Sequence, residues 1–387
     1  MGIVGMPNIG KSFFFNALTN SNVPSENYPF CTIEPWEARA KVQDSRIDKL
    51  VEIYRPKEML SAFLTVIDIA GLVKGASAGA GLGNNFLANI KSVDGIFHLV
   101  RAFESTTIEH VEGTVDPLRD MEIIHLELRL KDTEIIEKLL ESKKKETKRL
   151  FSSSKMSAQD KLKMKELEWL KKILHHLTEK NLCVRQNVEV WSEEEVTYIN
   201  SLHLLTAKPC IFLINMSTEE YLKKNNVYFK NIQNWVNTNY PGDQCIPYSG
   251  IFEAELSVFD EQEEKDMYME EVAKEFKVKT ESATSTLNEI VLAGYNALNL
   301  IYYFTCGPQQ VRCWTVQKNT KAPQAAAVIH TDFEKSFILA EVIKYGDLIQ
   351  EGCEENVKTA GKILQKGKDY LVQDGDIIHF KIAQKKK

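Results

Sequence analysis

Short runs of consecutive apolar residues alternate with segments of helical periodicity through most of the first 270 residues. The runs at 2–4, 62–68, 95–100 and 210–215 have the length and continuity of buried parallel strands. Residues 246–250 have the features of a short edge strand that ends in a turn. Strands that alternate with helices predict an α/β doubly wound sheet, which binds its ligand at the carboxyl ends of the strands.

A segment of different character interrupts this alternation between residue 116 and about residue 206. Leucine and isoleucine recur at helical spacing over 126–140, three serines follow at 152–154, and the helical pattern resumes over 161–177. Two amphipathic helices joined by a turn predict a helical insertion, either an antiparallel coiled-coil hairpin or a plain helical subdomain.

Apolar and polar residues alternate in the last part of the chain, from about Phe304. The dipeptide Asp374-Gly375 lies between the apolar runs 369–372 and 377–380 and predicts a tight hairpin. The pattern at this end therefore predicts a small mixed α+β domain of about 80 residues, without a recognisable set of catalytic residues. The predicted limits are 1–267 for the sheet domain with its insertion at about 117–206, 268–303 for a helical connector and 304–387 for the C-terminal domain.

Composition narrows the class of protein. A chain of 387 residues suits two or three domains, and 43% apolar with 26% charged residues is typical of globular domains with real cores. The seven cysteines include no C-x-x-C pair, which favours reduced thiols in a cytosolic or nuclear protein over a disulfide framework. No run of 18 apolar residues is present, and a strand is predicted at the very start, so neither a membrane span nor a signal peptide is expected.

The formal net charge of −6 is unevenly distributed. Residues 304–387 carry 13 basic and 10 acidic side chains, which makes this end +3 and leaves −9 on the remainder. A weakly basic domain is compatible with contact to RNA or with an ordinary solvated surface.

Residues 5–12 read GMPNIGKS, which is the G-x-x-x-x-G-K-S pattern of a P-loop. A predicted strand precedes the loop and a predicted helix follows it from near Lys11. In that context the loop N–H groups and the helix N-terminus point at phosphate oxygens. Lys11 would place its ammonium on the β- and γ-phosphates, and Ser12 would offer its hydroxyl to Mg²⁺.

Two further motifs follow in the order that a GTPase-like switch domain requires. Thr32 lies after the first helix, where such domains offer a threonine to the metal. The D-x-x-G motif of Asp68 and Gly71 would hold Mg²⁺ through water and approach the γ-phosphate with backbone. Leu72 follows, where many GTPases carry a water-orienting glutamine, and leucine has no group that could orient water.

The end of the 210–215 strand departs from the guanine-reading N-K-x-D motif. Residues 215–218 read NMST, so no lysine lies along the base and no carboxylate faces the guanine edge. Losing that acceptor removes a few kcal/mol of selectivity, so a strong preference for guanine is not expected and ATP becomes a candidate substrate.

These motifs together resemble those of the Obg-like ATPases, a branch of the Obg-type GTPases related to translation factors. The residues that carry the resemblance are NIGKS at 8–12, YPFCTIEP at 28–35, DIAGLVKG at 68–75, HVEG at 110–113 and the run 320–335. The resemblance spans essentially the whole chain. It implies an Obg-type nucleotide domain with a coiled-coil insertion, a C-terminal TGS domain of β-grasp fold, and Mg²⁺-dependent hydrolysis of ATP, with GTP a poorer substrate, in the cytosol and also the nucleus.

Several site residues are implied by the resemblance. The metal would be held by Ser12 and Thr32, and a histidine matching His110 would replace the missing glutamine, although a loop histidine without that role is the alternative. The phosphates would be held by Asn8, Ile9, Gly10, Lys11, Ser12 and Phe13. The base would be held by Asn215, the backbone of Met216, Phe103, Ser249 and Gly250, with plain core packing as the alternative for Phe103.

Two departures from the family pattern lie near the expected nucleotide. Phe13 stands where threonine is common, and Thr218 stands where glutamate is usual. Two hypotheses therefore stay open. One is a slow ATPase whose nucleotide state switches surfaces for the ribosome or translation factors; the other is a nucleotide-holding scaffold that has lost catalysis. A small-molecule P-loop kinase fits the D-x-x-G motif less well. A monomer without membrane association is expected.

Overall fold

The computed structural model describes residues 1–20, 37–69, 90–148 and 157–383. Their contacts divide them into two compact units. The first unit holds the described residues of 1–20, 37–38 and 66–286, and the second holds 39–65 and 287–383. Residues 39–65, which the sequence-based limits assign to the sheet domain, thus belong to the second unit. The limits 1–267, 268–303 and 304–387 stay a prediction.

The strands supply two sheets. Their bounds are β1 Gly2–Val4, β2 Glu37–Lys41, β3 Glu58–Leu60, β4 Phe63–Asp68, β5 Ile96–Arg101, β6 Cys210–Asn215, β7 Cys245–Tyr248, β8 Leu300–Cys306, β9 Gln310–Gln317, β10 Phe337–Ile343, β11 Leu364–Lys366 and β12 Ile377–Ile382. Within the described ranges, the first sheet has the order β2-β4-β1-β5-β6-β7 and the second has the order β11-β10-β12-β8-β9-β3.

The α-helices, renumbered along the described chain, connect these strands. Their bounds are α1 Lys11–Asn20, α2 Ser45–Tyr54, α3 Pro117–Thr147, α4 Ala158–Thr178, α5 Glu193–Ser201, α6 Thr218–Lys223, α7 Phe229–Asn239, α8 Gly250–Leu256, α9 Gln262–Glu275, α10 Leu287–Ala297, α11 Ala322–Ile329, α12 Thr331–Ser336, α13 Tyr345–Glu351 and α14 Glu354–Thr359. None of the helices described is both long enough and apolar enough to cross a membrane.

Parallel pairing in the first sheet brings the ends of its strands to one edge. β1 pairs in parallel with β4 and β5, β5 with β6, and β6 with β7. Arg101 is opposite Asn215, and Asn215 is opposite Tyr248. Every residue of β5 and β6 is buried, as expected for parallel strands covered on both faces. The predicted doubly wound α/β fold is confirmed, and β7 is the edge strand that the sequence predicts.

The helical insertion is confirmed as two long helices, α3 and α4, that pack against each other. Asp116 caps α3 ahead of a proline in the first turn, and Ser157 with Asp160 forms a capping box at α4. The buried Asp132 of α3 accepts hydrogen bonds from Leu205 N (2.8 Å), Thr206 N (2.8 Å) and Thr206 Oγ1 (2.7 Å), which ties the insertion to the segment that leads into β6. The shared core consists of Ile136, Leu140, Leu167, Leu170, Ile173, Leu177, Val184, Ile199 and Leu204.

The second unit is a mixed α+β structure, as its alternating pattern predicts. β8 and β9 form an antiparallel pair, β12 pairs with β8 in parallel and with β10 antiparallel, and α11 packs on the sheet. Its core includes Tyr303, Val316, Ala322, Ala325, Ala326, Phe337, Ala340, Val342, Val372 and Ile378.

The hairpin predicted around Asp374-Gly375 is wrong. Only an isolated bridge between Leu371 and Lys321 is formed on the N-terminal side of this turn. The reason is the buried carboxylate of Asp376, which accepts hydrogen bonds from Tyr370 Oη (2.6 Å), Gln373 N (2.9 Å) and Lys344 Nζ (2.6 Å). These bonds fold the preceding segment into a compact turn, so β12 instead pairs with the distant β10 and β8.

Candidate nucleotide-binding site

The segment between β1 and α1 has the backbone geometry of a phosphate-binding loop. Asn8 and Gly10 both have positive φ angles, of 60° and 96°, and α1 begins directly after them at Lys11. A side chain at Gly10 would collide with the amide nitrogen of Asn215, so this position requires glycine for two independent reasons. The strand, the loop and the helix therefore occur in the order that the sequence predicts.

The Lys11 side chain folds back over the loop. Its ammonium donates hydrogen bonds to Met6 O (2.8 Å) and Gly5 O (3.3 Å). Burial lowers the pKa of Lys11 to about 8, and the nearby Asp68 carboxylate opposes this shift. An ammonium has three donors, so one remains after these two bonds. The loop thus holds a cation above its backbone.

Asp68 is the last residue of β4 and has an unsatisfied buried oxygen. Among the described residues, its Oδ1 has no hydrogen-bond partner. Burial raises the pKa of Asp68, while Lys11 opposes that shift. Most buried polar atoms in folded proteins have a partner, and an orphaned one costs about 1–3 kcal/mol. The carboxylate is therefore poised for a cation or water that the described residues do not supply.

The chemistry of this corner fits magnesium. The hydroxyl of Ser12 and the carboxylate of Asp68 are oxygen donors, which Mg²⁺ prefers. No group of three or more His, Cys, Asp or Glu side chains in the described ranges could hold a metal, but an ion that keeps several waters does not require one. The other predicted residues of this corner lie outside the described residues: Thr32, Gly71 and Leu72.

A cavity of about 480 Å³ opens beside the loop. It is bounded by the P-loop, the start of α1, the segment after β5, the end of β6 and the start of α8. The predicted site residues that line it are Asn8, Gly10, Lys11, Ser12, Phe13, Phe103, Asn215, Met216 and Gly250. The lining residues that the sequence did not single out are Glu104, Ser105, Thr107, Ile108, Ser217 and Ile251.

Two predicted residues lie behind the cavity wall. The Ile9 side chain is buried, and only its carbonyl points to a site residue, Asn215. Ser249 is fully buried and caps α8 by accepting a hydrogen bond from Phe252 N (3.4 Å). Both residues support the site from outside the lining.

The buried amide of Asn215 joins two walls of the cavity. Its Nδ2 donates to Ile9 O (2.8 Å), and its Oδ1 accepts from Gly250 N (2.9 Å). One side chain at the end of β6 therefore fixes the P-loop relative to the N-terminus of α8. A contact of Asn215 with a base stays a prediction.

The acidic side chain of Glu220, close in sequence to Asn215, caps a helix in this chain. Ser217 and Glu220 form a capping box at α6, with Ser217 Oγ donating to Glu220 Oε2 (2.7 Å). Thr218, at the position where the family usually has glutamate, lies 3.3 Å from Ser249 through its hydroxyl. The carboxylate of Glu220 is thus engaged in capping a helix.

Arg101 is a site residue that the sequence analysis missed. Its side chain is buried at the end of β5, and it donates to Ile108 O (2.9 Å), Phe103 O (3.2 Å), Asn8 O (3.4 Å) and Glu109 O (3.5 Å). Its guanidinium also lies 4.6 Å from the centre of the Phe103 ring. We call these contacts the Arg101 clamp, since they join the P-loop to the segment 103–109. An arginine directly after an apolar strand was the available signal.

His110 lies at the far end of the same segment. Its Nε2 is 2.7 Å from Asp120 Oδ2, and its Nδ1 accepts from Glu112 N (3.1 Å). Arg119 holds the other oxygen of Asp120 (3.0 Å). Both ring nitrogens are therefore engaged, Nε2 with α3 and Nδ1 with the turn that precedes it, and His110 does not line the 480 Å³ cavity. A catalytic role for His110 stays a prediction.

Comparisons with known proteins agree with this geometry. Residues 1–150 match a family model described as 50S ribosome-binding GTPase. Residues 300–383 match the YchF-GTPase_C model, described as a protein of unknown function.

Whole-length relatives extend the match. The chain is 49% identical over 385 residues to Obg-like ATPase 1 of Schizosaccharomyces pombe, covering 99% of this chain and 94% of that protein. It is 47% identical over 381 residues to Obg-like ATPase 1 of Homo sapiens, covering 98% and 91%. The solved structure of the Schizosaccharomyces pombe YchF GTPase matches with a TM-score of 0.85 and 49% identity over 98% of this chain and 97% of that one. With a P-loop fold, a helical insertion and a C-terminal domain that all match along nearly the full length, this chain belongs to the Obg-like ATPase family of P-loop nucleotide hydrolases.

Proposed function

We propose that this protein hydrolyses ATP in a Mg²⁺-dependent reaction, with GTP a poorer substrate, and that its nucleotide state acts as a switch. The observation that carries the proposal is the buried, unpartnered oxygen of Asp68, whose carboxylate interacts electrostatically with Lys11 of the P-loop. A carboxylate in that position is suited to hold the metal of a bound nucleotide through water.

The residues of the loop divide the work of holding the triphosphate. The N–H groups of residues 8–13 would bind phosphate oxygens at the start of α1, where the helix dipole favours anions. Lys11 has one donor left for the β- and γ-phosphates. Ser12 and Asp68 would hold Mg²⁺, which neutralises charge that develops on the phosphates.

The base end of the cavity lacks, at residues 215–218, the acceptor that would favour GTP, which leaves ATP as the proposed substrate. Residues 215–218 offer no carboxylate to guanine N1 and N2. The carboxylate of Glu220 is used in the α6 cap, and Glu219 pairs with Lys223. A site without that acceptor loses the discrimination that a matched hydrogen-bonding pair supplies.

Turnover should be slow without a partner. Leu72 cannot orient water, and both ring nitrogens of His110 are engaged elsewhere. GTPases without a partner protein hydrolyse at about 10⁻⁴ to 10⁻² per second, and a similar range is expected here. A His110→Ala variant whose phosphate release equals that of the wild type would remove the histidine from the mechanism.

The remaining expectations concern the protein's surroundings. We propose that the helical insertion and the C-terminal domain bind partners linked to translation, the ribosome or a translation factor, with RNA contact through the weakly basic C-terminal end. We further propose a monomer in the cytoplasm and also the nucleus. The second candidate function, a nucleotide-binding scaffold without catalysis, is favoured by Phe13 and Thr218, which depart from the family pattern beside the site.

One experiment separates the two functions. Binding of radiolabelled ATP and GTP and release of phosphate are measured separately at matched Mg²⁺ for the wild type and Lys11→Ala. Lys274→Ala, at an exposed position of α9, is the matched control and should behave as wild type. Phosphate release above the Lys11→Ala background supports the ATPase, whereas binding without release supports the scaffold. Tenfold tighter binding of GTP than of ATP would show that the base assignment is wrong.

A further inference from the structure

Phe13 is an aromatic side chain that the fold leaves uncovered. It lies in the first turn of α1, lines the 480 Å³ cavity and is 51% exposed. The next residue, Phe14, is fully buried and packs edge-on against Phe97 (5.9 Å) and Tyr248 (5.5 Å). The helix therefore needs Phe14 for its core, while the core makes no use of Phe13.

Phe13 belongs to an apolar part of the cavity. Ile251 at the start of α8 is 50% exposed and Ile108 is 38% exposed, and both line the same cavity. Phe103 and Met216 complete this part of the lining. Large apolar side chains that converge on one cavity from four separate segments are the usual lining of a ligand site.

The phosphate end of the cavity fixes which part of a ligand meets these side chains. Lys11, Ser12 and the loop N–H groups would bind the charged phosphates. Apolar side chains have no hydrogen-bond donor or positive charge with which to bind phosphate. The apolar lining is then left for the flat, weakly polar part of a nucleotide. Aromatic side chains bind bases through their faces, and every base has such a face.

We propose that the Phe13 side chain is an apolar platform for the nucleoside part of the bound nucleotide, and that it adds affinity without distinguishing adenine from guanine. The inference rests on the proposed function, in which this cavity holds a nucleotide. It gives the cavity a source of base affinity that does not depend on hydrogen bonds to the base edge, of which residues 215–218 offer few. A hydroxyl at position 13 would instead act near the phosphates.

An apolar platform at Phe13 predicts a specific pattern of affinities for Phe13→Thr. Removing a base–aromatic contact lowers affinity about tenfold. ATP and GTP should weaken by the same factor, so that their ratio changes by less than about twofold, because the lost contact is tolerant of base identity. Tripolyphosphate, which has the charged groups of ATP without its nucleoside, should bind Phe13→Thr as it binds the wild type. Phe13→Leu should lie between the two for both nucleotides.

The test is isothermal titration of ATP, GTP and tripolyphosphate, each with Mg²⁺, into wild type, Phe13→Thr, Phe13→Leu and Val258→Thr. Val258 is 75% exposed and outside the cavity, so its variant controls for an apolar-to-threonine change at the surface. Since Phe13 is half-exposed, the melting temperature of each ligand-free variant should stay within about 2 °C of the wild type.

Each outcome decides between distinct alternatives. Equal loss of ATP and GTP with unchanged tripolyphosphate supports the platform. Unchanged or tighter nucleotide binding by Phe13→Thr overturns it and shows that the ring is idle or obstructs the site. Equal loss of tripolyphosphate also overturns it, because Phe13 would then act through the phosphate loop. A wild-type protein that binds no nucleotide at all removes the proposed function itself and the platform with it.

Discussion

The Arg101 clamp is expected to stabilise both the segment 103–109 and the P-loop. In the wild type, one buried guanidinium donates to carbonyl oxygens of Ile108 (2.9 Å), Phe103 (3.2 Å), Asn8 (3.4 Å) and Glu109 (3.5 Å). Burial lowers the pKa of Arg101, and the carboxylates of Glu104 and Asp120 oppose this. The role of the clamp is tested by Arg101→Lys. This substitution keeps the positive charge and most of the apolar stem, but it replaces the planar guanidinium, which donates from three nitrogens, with a single ammonium nitrogen.

The expected loss follows from counting carbonyls. A lysine has a single ammonium nitrogen, which can reach only some of the four carbonyl oxygens that the guanidinium contacts. At least two of these carbonyls therefore lose their donor. These carbonyls belong to exposed or half-buried residues, where a hydrogen bond contributes about 0.5–1.5 kcal/mol net, so losing at least two predicts a loss of roughly 1–3 kcal/mol in the free energy of unfolding. Because Asn8 is one end of the clamp, the P-loop also loosens, and ATP affinity should fall at least tenfold, about 1.4 kcal/mol.

Three measurements check this prediction: urea unfolding, hydrogen exchange of segment 103–109, and calorimetric titration of ATP. Arg129→Lys is the matched control, at a half-buried arginine of α3 outside the clamp. Arg101→Lys should unfold at lower urea and exchange faster in 103–109, whereas Arg129→Lys should do neither. Unfolding within about 0.5 kcal/mol of the wild type, together with unchanged exchange, would refute the reasoning.

Two further predictions concern the loop glycine and acid stability. Gly10→Ala should lower ATP affinity more than tenfold by titration, because alanine is strained at φ 96° and its Cβ would displace the Asn215 amide; wild-type affinity would contradict this steric reason. Burial lowers the pKa of His125 from 6.5 to about 4, so the stability that its neutral form contributes above pH 6.5 is lost as pH falls toward 4, up to about 3 kcal/mol. Burial raises the pKa of Asp132 to about 6, so the folded state takes up a proton here before the unfolded state does. The Asp132 contribution to the free energy of unfolding therefore rises as pH falls from 6 toward 4, and it partly offsets the loss from His125. Asp132→Asn should therefore lose stability more steeply with acid than the wild type in urea titrations between pH 6.5 and 4, and parallel curves would contradict the assignment.

The parts of the fold that could be predicted are those set by local sequence. The apolar runs that form β1, β4, β5 and β6 are buried on both faces, so each shows as a continuous stretch, and the parallel order then brings their carboxyl ends together. Lys11, Ser12 and Asp68 follow from fixed spacing within or directly after these runs. Asn215 could be found for the same reason, because it ends a strand.

The parts that could not be predicted depend on contacts between distant segments. Arg101 acts through carbonyl oxygens of an irregular segment, and no periodicity reveals which way those carbonyls point. The Asp374-Gly375 turn was misassigned because the next residue, Asp376, is held by the distant Lys344, and the strand that follows pairs with β10 and β8. In each case the deciding partner is far away in sequence.

The central claim is that the Asp68 and Lys11 corner supports Mg²⁺-dependent hydrolysis of ATP. Its most direct test is single-turnover release of phosphate from γ-labelled ATP by the wild type and Lys11→Ala, with Mg²⁺ and with excess chelator. We expect slow release by the wild type with Mg²⁺, and release at the Lys11→Ala background in the presence of chelator. Wild-type release that equals the Lys11→Ala background in Mg²⁺, with ATP demonstrably bound, would contradict the account.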